Sequence, residues 1–75
     1  MKIIAFKIKE ELREAFKEAR QEQEQLKEEV EVICYSAGTY GIYVPNEVSD
    51  EEGKEDVESI LISFGWYCGS DYEFI

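Results

Sequence analysis

The stretch SDEEGKEDVE, residues 49–58, places six carboxylates and one lysine in ten positions. Carboxylates at that density can ligate a hard cation, exchange a proton as a catalytic pair, or present negative potential to a basic partner. A calcium loop of the helix–loop–helix type does not fit. Aligning Gly53 with the glycine such a loop requires puts Val48 at the first ligand position and Ser59 at the last. A catalytic pair does not fit either, because the run reads as an exposed loop and helix start with no apolar surroundings to raise one pKa. The helix macrodipole favours Asp50, Glu51 and Glu52 in a first turn. It gives no reason for Glu55, Asp56 and Glu58. The third use therefore fits best, with Glu47 just upstream and Asp71 and Glu73 in the tail as secondary contributors.

Other reactive constellations are missing. The chain has no histidine, the commonest general base and metal ligand, and its two cysteines, Cys34 and Cys68, form no C-x-x-C pair. Serines 36, 49, 59, 63 and 70 have no base to activate them, and Gly38 and Gly41 belong to a hairpin rather than a phosphate-cradling loop. No catalytic residues, no metal site and no cofactor are expected.

Charge is unevenly divided. Residues 1–29 carry seven basic and eight acidic groups, whereas residues 30–75 carry one basic and ten acidic groups, within a net charge of −10. Direct nucleic-acid binding needs clustered Lys and Arg, so it is not expected. No apolar run is long enough to span a membrane, and MKIIAFKIKE turns charged too early for an export signal. A cytoplasmic protein is the default expectation.

These residues must be positioned by a small α+β domain covering residues 1–75. An apolar content of 44% supports a packed core, of modest size for 75 residues. KIIAFKI alternates with period two and reads as a strand. Leu12, Phe16, Ala19, Gln23, Leu26 and Val30 then recur at steps of four and three, which predicts an amphipathic helix over 9–29 with no capping residue at its start. Such a helix would be about 31 Å long and would overhang a strand of about 20 Å. On its outer face the pairs Glu10–Arg13, Glu14–Lys17 and Glu24–Lys27 sit at bridging distance in sequence.

VEVICYS and TYGIYVP alternate again and read as a hairpin. Ser49, three residues before Glu52, has capping-box spacing. Val57, Ile60, Leu61 and Phe64 follow a helical period that Gly65 ends, and WYCGSDYEFI reads as a last strand. The order β-α-β-β-α-β implies a ferredoxin-like fold, with a four-stranded antiparallel sheet and two helices on one face. Cys34 and Cys68 would then lie on opposite edges, too far apart to bridge.

In that arrangement Tyr35 and Tyr43 face the uncovered side of the sheet, joined by Trp66, Tyr67 and Tyr72. An aromatic face of this kind suits a homodimer contact or a small-molecule surface.

Two local resemblances add little. GTYGIYV is similar to the aromatic strand motif of RNA-recognition domains, but lacks its leading base and has Ile42 in place of a stacking aromatic. IIAFKIKEELREAFKEA, residues 3–19, resembles the strand and first helix of ribbon-helix-helix repressors, but no turn and second helix follow. By size and charge alone the chain resembles the small acidic inhibitors that phages direct at host nucleases, anti-CRISPR proteins among them. The function expected from the sequence is thus a non-catalytic inhibitor acting as a nucleic-acid mimic on a basic protein partner. The alternative is a dimeric ferredoxin-like module working through its aromatic face.

Overall fold

The computed structural model describes residues 1–23 and 38–75. Strand β1 spans Lys2–Ile8; a 3₁₀ turn, Glu10–Leu12, leads into helix α1, Arg13–Glu22. Strand β2 spans Thr39–Val44, helix α2 Asp50–Ser63 and strand β3 Tyr72–Phe74. β1 lies at the centre of a three-stranded antiparallel sheet of order β2-β1-β3.

The period-two pattern of β1 sorts its side chains. Ile4, Phe6 and Ile8 are buried, while Ile3, Ala5 and Lys7 occupy the opposite face. β2 sends Tyr40, Ile42 and Val44 to the core, and of its other face Thr39 and Gly41 are buried as well while Tyr43 is exposed. Phe16 of α1 and Val57 and Leu61 of α2 close over that face. Phe16 is fully buried, with ring centroids 4.8 Å from Tyr40, 5.0 Å from Trp66 and 6.2 Å from Phe6. Aromatic rings at such separations add to the burial of their area.

The four-stranded ferredoxin-like arrangement expected from the sequence is corrected: the sheet among the described residues has three strands. The strand expected at 30–36 lies outside the described residues, as do Tyr35, Cys34 and the Glu24–Lys27 pair. The tail contributes far less strand than its aromatic content suggests. Gly65 and Gly69 both have positive φ, +89° and +86°, and turn the chain twice before Tyr72.

Helix α1 is also shorter than the predicted 9–29. It begins one 3₁₀ turn late, with no side-chain cap, and ends at Glu22 because Gln23 is extended at φ −102°, ψ 101°. Glu18 and Glu22 near its C-terminus oppose the macrodipole, and the sequence beyond offers few apolar anchors. The projected overhang is therefore not a property of α1. The predicted Glu10–Arg13 and Glu14–Lys17 bridges do not form. No helix among the described residues is long and apolar enough to cross a membrane.

Candidate acidic partner surface

Helix α2 carries most of the acidic run, and its local sequence fixes both ends. The Ser49 hydroxyl accepts a hydrogen bond from the Glu52 backbone N–H at 3.2 Å, as its spacing predicted. At the other end the N–H of Gly65 donates to Ile62 C=O and that of Trp66 to Leu61 C=O, each at 2.9 Å. This pair of bonds is the Schellman ending that a glycine at positive φ permits.

Between those ends Gly53, Val57 and Leu61, four residues apart, form the buried stripe. Gly53 has a packing role invisible in the charge pattern. A Cβ there would stand 3.0 Å from Ile4 Cδ1 and 3.3 Å from Val44 Cγ2, so the missing side chain lets α2 lie close against the sheet. Burying that stripe turns Glu51, Glu52, Glu55 and Asp56 outward, all exposed. They form two neighbouring i, i+4 rows, about 6 Å apart along the helix axis within each row. Glu47, in the turn between β2 and α2, is exposed as well.

Nearby bases do little to cancel this field. Lys2 Nζ donates to Asp50 Oδ1 at 2.9 Å, tying the start of β1 to the first turn of α2. That hydrogen bond, and then the lysine's charge, holds the Asp50 carboxyl below its ordinary value. Lys54 lies over the Phe74 ring, 5.9 Å from its centroid. Asp50 is thus partly neutralised, and the four outer carboxylates are not paired among the described residues.

The remaining predicted acids are divided among other tasks. Glu58 is half-buried near Cys68; burial first, and then the Glu58 carboxylate, push that thiol up. Cys68 itself is exposed and free. The Asp71 carboxylate accepts the Tyr67 backbone N–H at 2.7 Å, while the Asp71 N–H returns to Tyr67 C=O at 2.9 Å. Asp71 is therefore a loop-closing residue. Glu73 is exposed on β3, opposite Lys7 in the sheet register.

The four described residues of the predicted aromatic face do not share one surface. Tyr72 is fully buried on the helix side, its ring 5.4 Å from Phe6, and its hydroxyl has no hydrogen-bond partner among the described residues. Burial raises its phenol well above the ordinary value. Trp66 packs on Phe16, and Tyr67 is exposed on the loop after α2. Among the described residues, Tyr43 is the one predicted aromatic on the open face, beside Ile3 across the sheet, and Tyr35 lies outside them. Among the described residues no group of three or more Cys, Asp or Glu side chains is arranged to hold a metal ion.

Comparison with protein-family models, with curated proteins and with solved structures finds no match to this chain.

Proposed function

We propose that this protein is a non-catalytic acidic binding protein whose α2 face occupies the basic, nucleic-acid-binding surface of a protein partner. The observation that supports the reading is the stripe of Glu51, Glu52, Glu55 and Asp56, rigidly mounted on a helix capped at both ends. Fixed negative charges on a scaffold offer a basic groove the potential it expects from a phosphate backbone. Glu47 extends the stripe, and Asp50 contributes where Lys2 can be displaced. Glu58, Asp71 and Glu73 stand outside it. A phage-type inhibitor of a host defence nuclease, acting in the cytoplasm, is the kind of protein this proposal describes, by likeness of size and charge.

The homodimer or ligand reading through an aromatic face has weaker support. It calls for several aromatics on one surface, and among the described residues Tyr43 alone is there.

The test is capture on the immobilised protein, followed by release with added DNA or RNA. A nucleic-acid-binding protein that is retained by the parent chain, released by polynucleotide, and not retained by Glu51→Lys/Glu55→Lys/Asp56→Lys supports mimicry. Equal retention by the charge-reversed variant contradicts it.

A further inference from the structure

The loop between α2 and β3 carries a group of side chains that the acidic stripe does not use. Three hydrogen bonds close this loop. The Tyr67 N–H donates to the Asp71 carboxylate at 2.7 Å, the Asp71 N–H to Tyr67 C=O at 2.9 Å, and the Gly69 N–H to Tyr72 C=O at 2.7 Å. Cys68, an exposed free thiol, is thereby held beside Tyr72, with which it forms an isolated parallel bridge. Residues paired in this way carry their side chains on the same face. Since Tyr72 points to the helix side, Cys68 is turned toward α2, where the half-buried Glu58 stands near it.

Tyr72 supplies an independent sign that something is missing from this group. Its side chain is fully buried, yet its hydroxyl has no hydrogen-bond partner among the described residues. After burial, the groups that act on that phenol are Cys68, Glu58 and Asp71, so the hydroxyl is aimed at the thiol and the carboxylate. Glu73 adds a further negative charge beside Cys68. Lys54, one turn before Glu58, lies over the Phe74 ring and pairs with no carboxylate among the described residues. A buried hydroxyl without a partner is unfavourable, and a cation taking its oxygen lone pair would relieve it.

We propose that Cys68, Glu58 and Tyr72 bind a divalent cation of the zinc class at the seam between α2 and the loop before β3. Counting cysteines and carboxylates alone, no group of three forms among the described residues; the phenol oxygen is the third donor here. Sulfur and oxygen donors suit a tetrahedral ion whose fourth position holds water. The thiolate selects zinc over magnesium or calcium. On binding, a metal–sulfur bond forms and the thiol proton leaves to water. Cys68 is exposed, so the ion reaches the group from solvent. This site does not depend on the function proposed for the α2 stripe.

The test is a titration of the full, reduced chain with cobalt(II) as the optical stand-in for zinc. A thiolate-to-cobalt charge-transfer band is expected, saturating at one ion per chain and removed by zinc but not by magnesium. Cys68→Ser should abolish the band. Glu58→Gln and Tyr72→Phe should each weaken binding by about tenfold or more. Tyr72→Phe deletes only the unpartnered hydroxyl, so its circular dichroism without metal should match the parent. Cys34→Ser and Glu18→Gln, the latter on α1, should bind as the parent does. Absence of the band, a band that survives Cys68→Ser or requires Cys34, or undiminished affinity in Tyr72→Phe would overturn the proposal.

Discussion

Helices α1 and α2 lie over the same face of one small sheet, yet they arrange charge in opposite ways. α2 turns four carboxylates outward, while the two lysines nearest to it engage Asp50 and the Phe74 ring. α1 carries acids and bases in nearly equal number, with Arg13, Lys17 and Arg20 at i, i+4 and i+7 on one side. Each arrangement depends on a glycine. Gly53 lets α2 approach Ile4 and Val44, and Gly38 makes room for the stem of Arg13. The difference teaches that net charge is a poor guide to a small protein's surface. What matters is which side chains the buried stripe of each helix forces outward, and which of those then find partners.

Breaking the common foundation should have the largest effect. Phe16 is fully buried where Tyr40, Trp66 and Phe6 meet, so Phe16→Ala should cost about 3–5 kcal/mol. That is a large fraction of the stability of a domain this size. Urea unfolding followed by circular dichroism measures it, and both charged surfaces should be lost together.

The glycines separate the two regions. Gly53→Leu should force α2 off the sheet at a cost of about 1–3 kcal/mol. Gly38→Ala should cost about 1–2 kcal/mol through its positive φ, and should also displace Arg13. Thermal unfolding gives both energies. The Arg13 Nε–Hε resonance should move in Gly38→Ala and hold its position in Gly53→Ala, the milder change on the other helix.

The smallest stability effect concerns the stripe itself. Glu51 and Glu55, and likewise Glu52 and Asp56, are like-charged i, i+4 pairs, each unfavourable by about 0.2–0.5 kcal/mol. Glu55→Gln and Asp56→Asn should therefore raise stability slightly at low salt, with the gain fading as salt rises. A fall in stability would mean these carboxylates hold the fold rather than serve its surface.

Asp50 gives the contrast a pH signature. Its pKa is depressed in the folded state by the Lys2 hydrogen bond and charge, so its contribution is present above the ordinary value of 3.8 and is lost as pH falls through the lower folded value. Lys2→Ala should flatten the acid limb of the stability profile in that window. Cys68 moves the other way. Its thiol is pushed up by burial and by Glu58, so alkylation at mildly alkaline pH should be slow, and faster in Glu58→Gln.

Much of this organisation was legible in the sequence where a local rule decides it. Alternation in KIIAFKI set the buried face of β1, the Ser49–Glu52 spacing marked the start of α2, and Gly65 marked its end. What was not legible depends on contacts distant in sequence. Period two alone assigns Tyr72 to either face, and the turn at Gly69 with its register against Ile8 decides for the core. Lys2 and Asp50 are 48 residues apart, and no local pattern joins them. Asp71 looks like one more surface acid until the Tyr67 N–H is found on its carboxylate. The acidic stripe was visible as composition, but its outward display rests on Gly53 packing, which reads in sequence only as a helix-weakening residue. Spacing alone makes Arg13 and Lys17 half of a salt-bridged helix face; whether such pairs form is decided by side-chain position, and Glu10–Arg13 and Glu14–Lys17 do not.

The central claim is that the α2 stripe drives association with a basic partner, and the most direct test is the salt dependence of that association. Binding to a captured nucleic-acid-binding protein should be measured over a range of salt for the parent chain and for Glu51→Lys/Glu55→Lys/Asp56→Lys. A steep loss of affinity with rising salt in the parent, and little binding left in the variant at low salt, is the predicted result. A flat salt dependence, or a variant that binds as tightly as the parent, would contradict it.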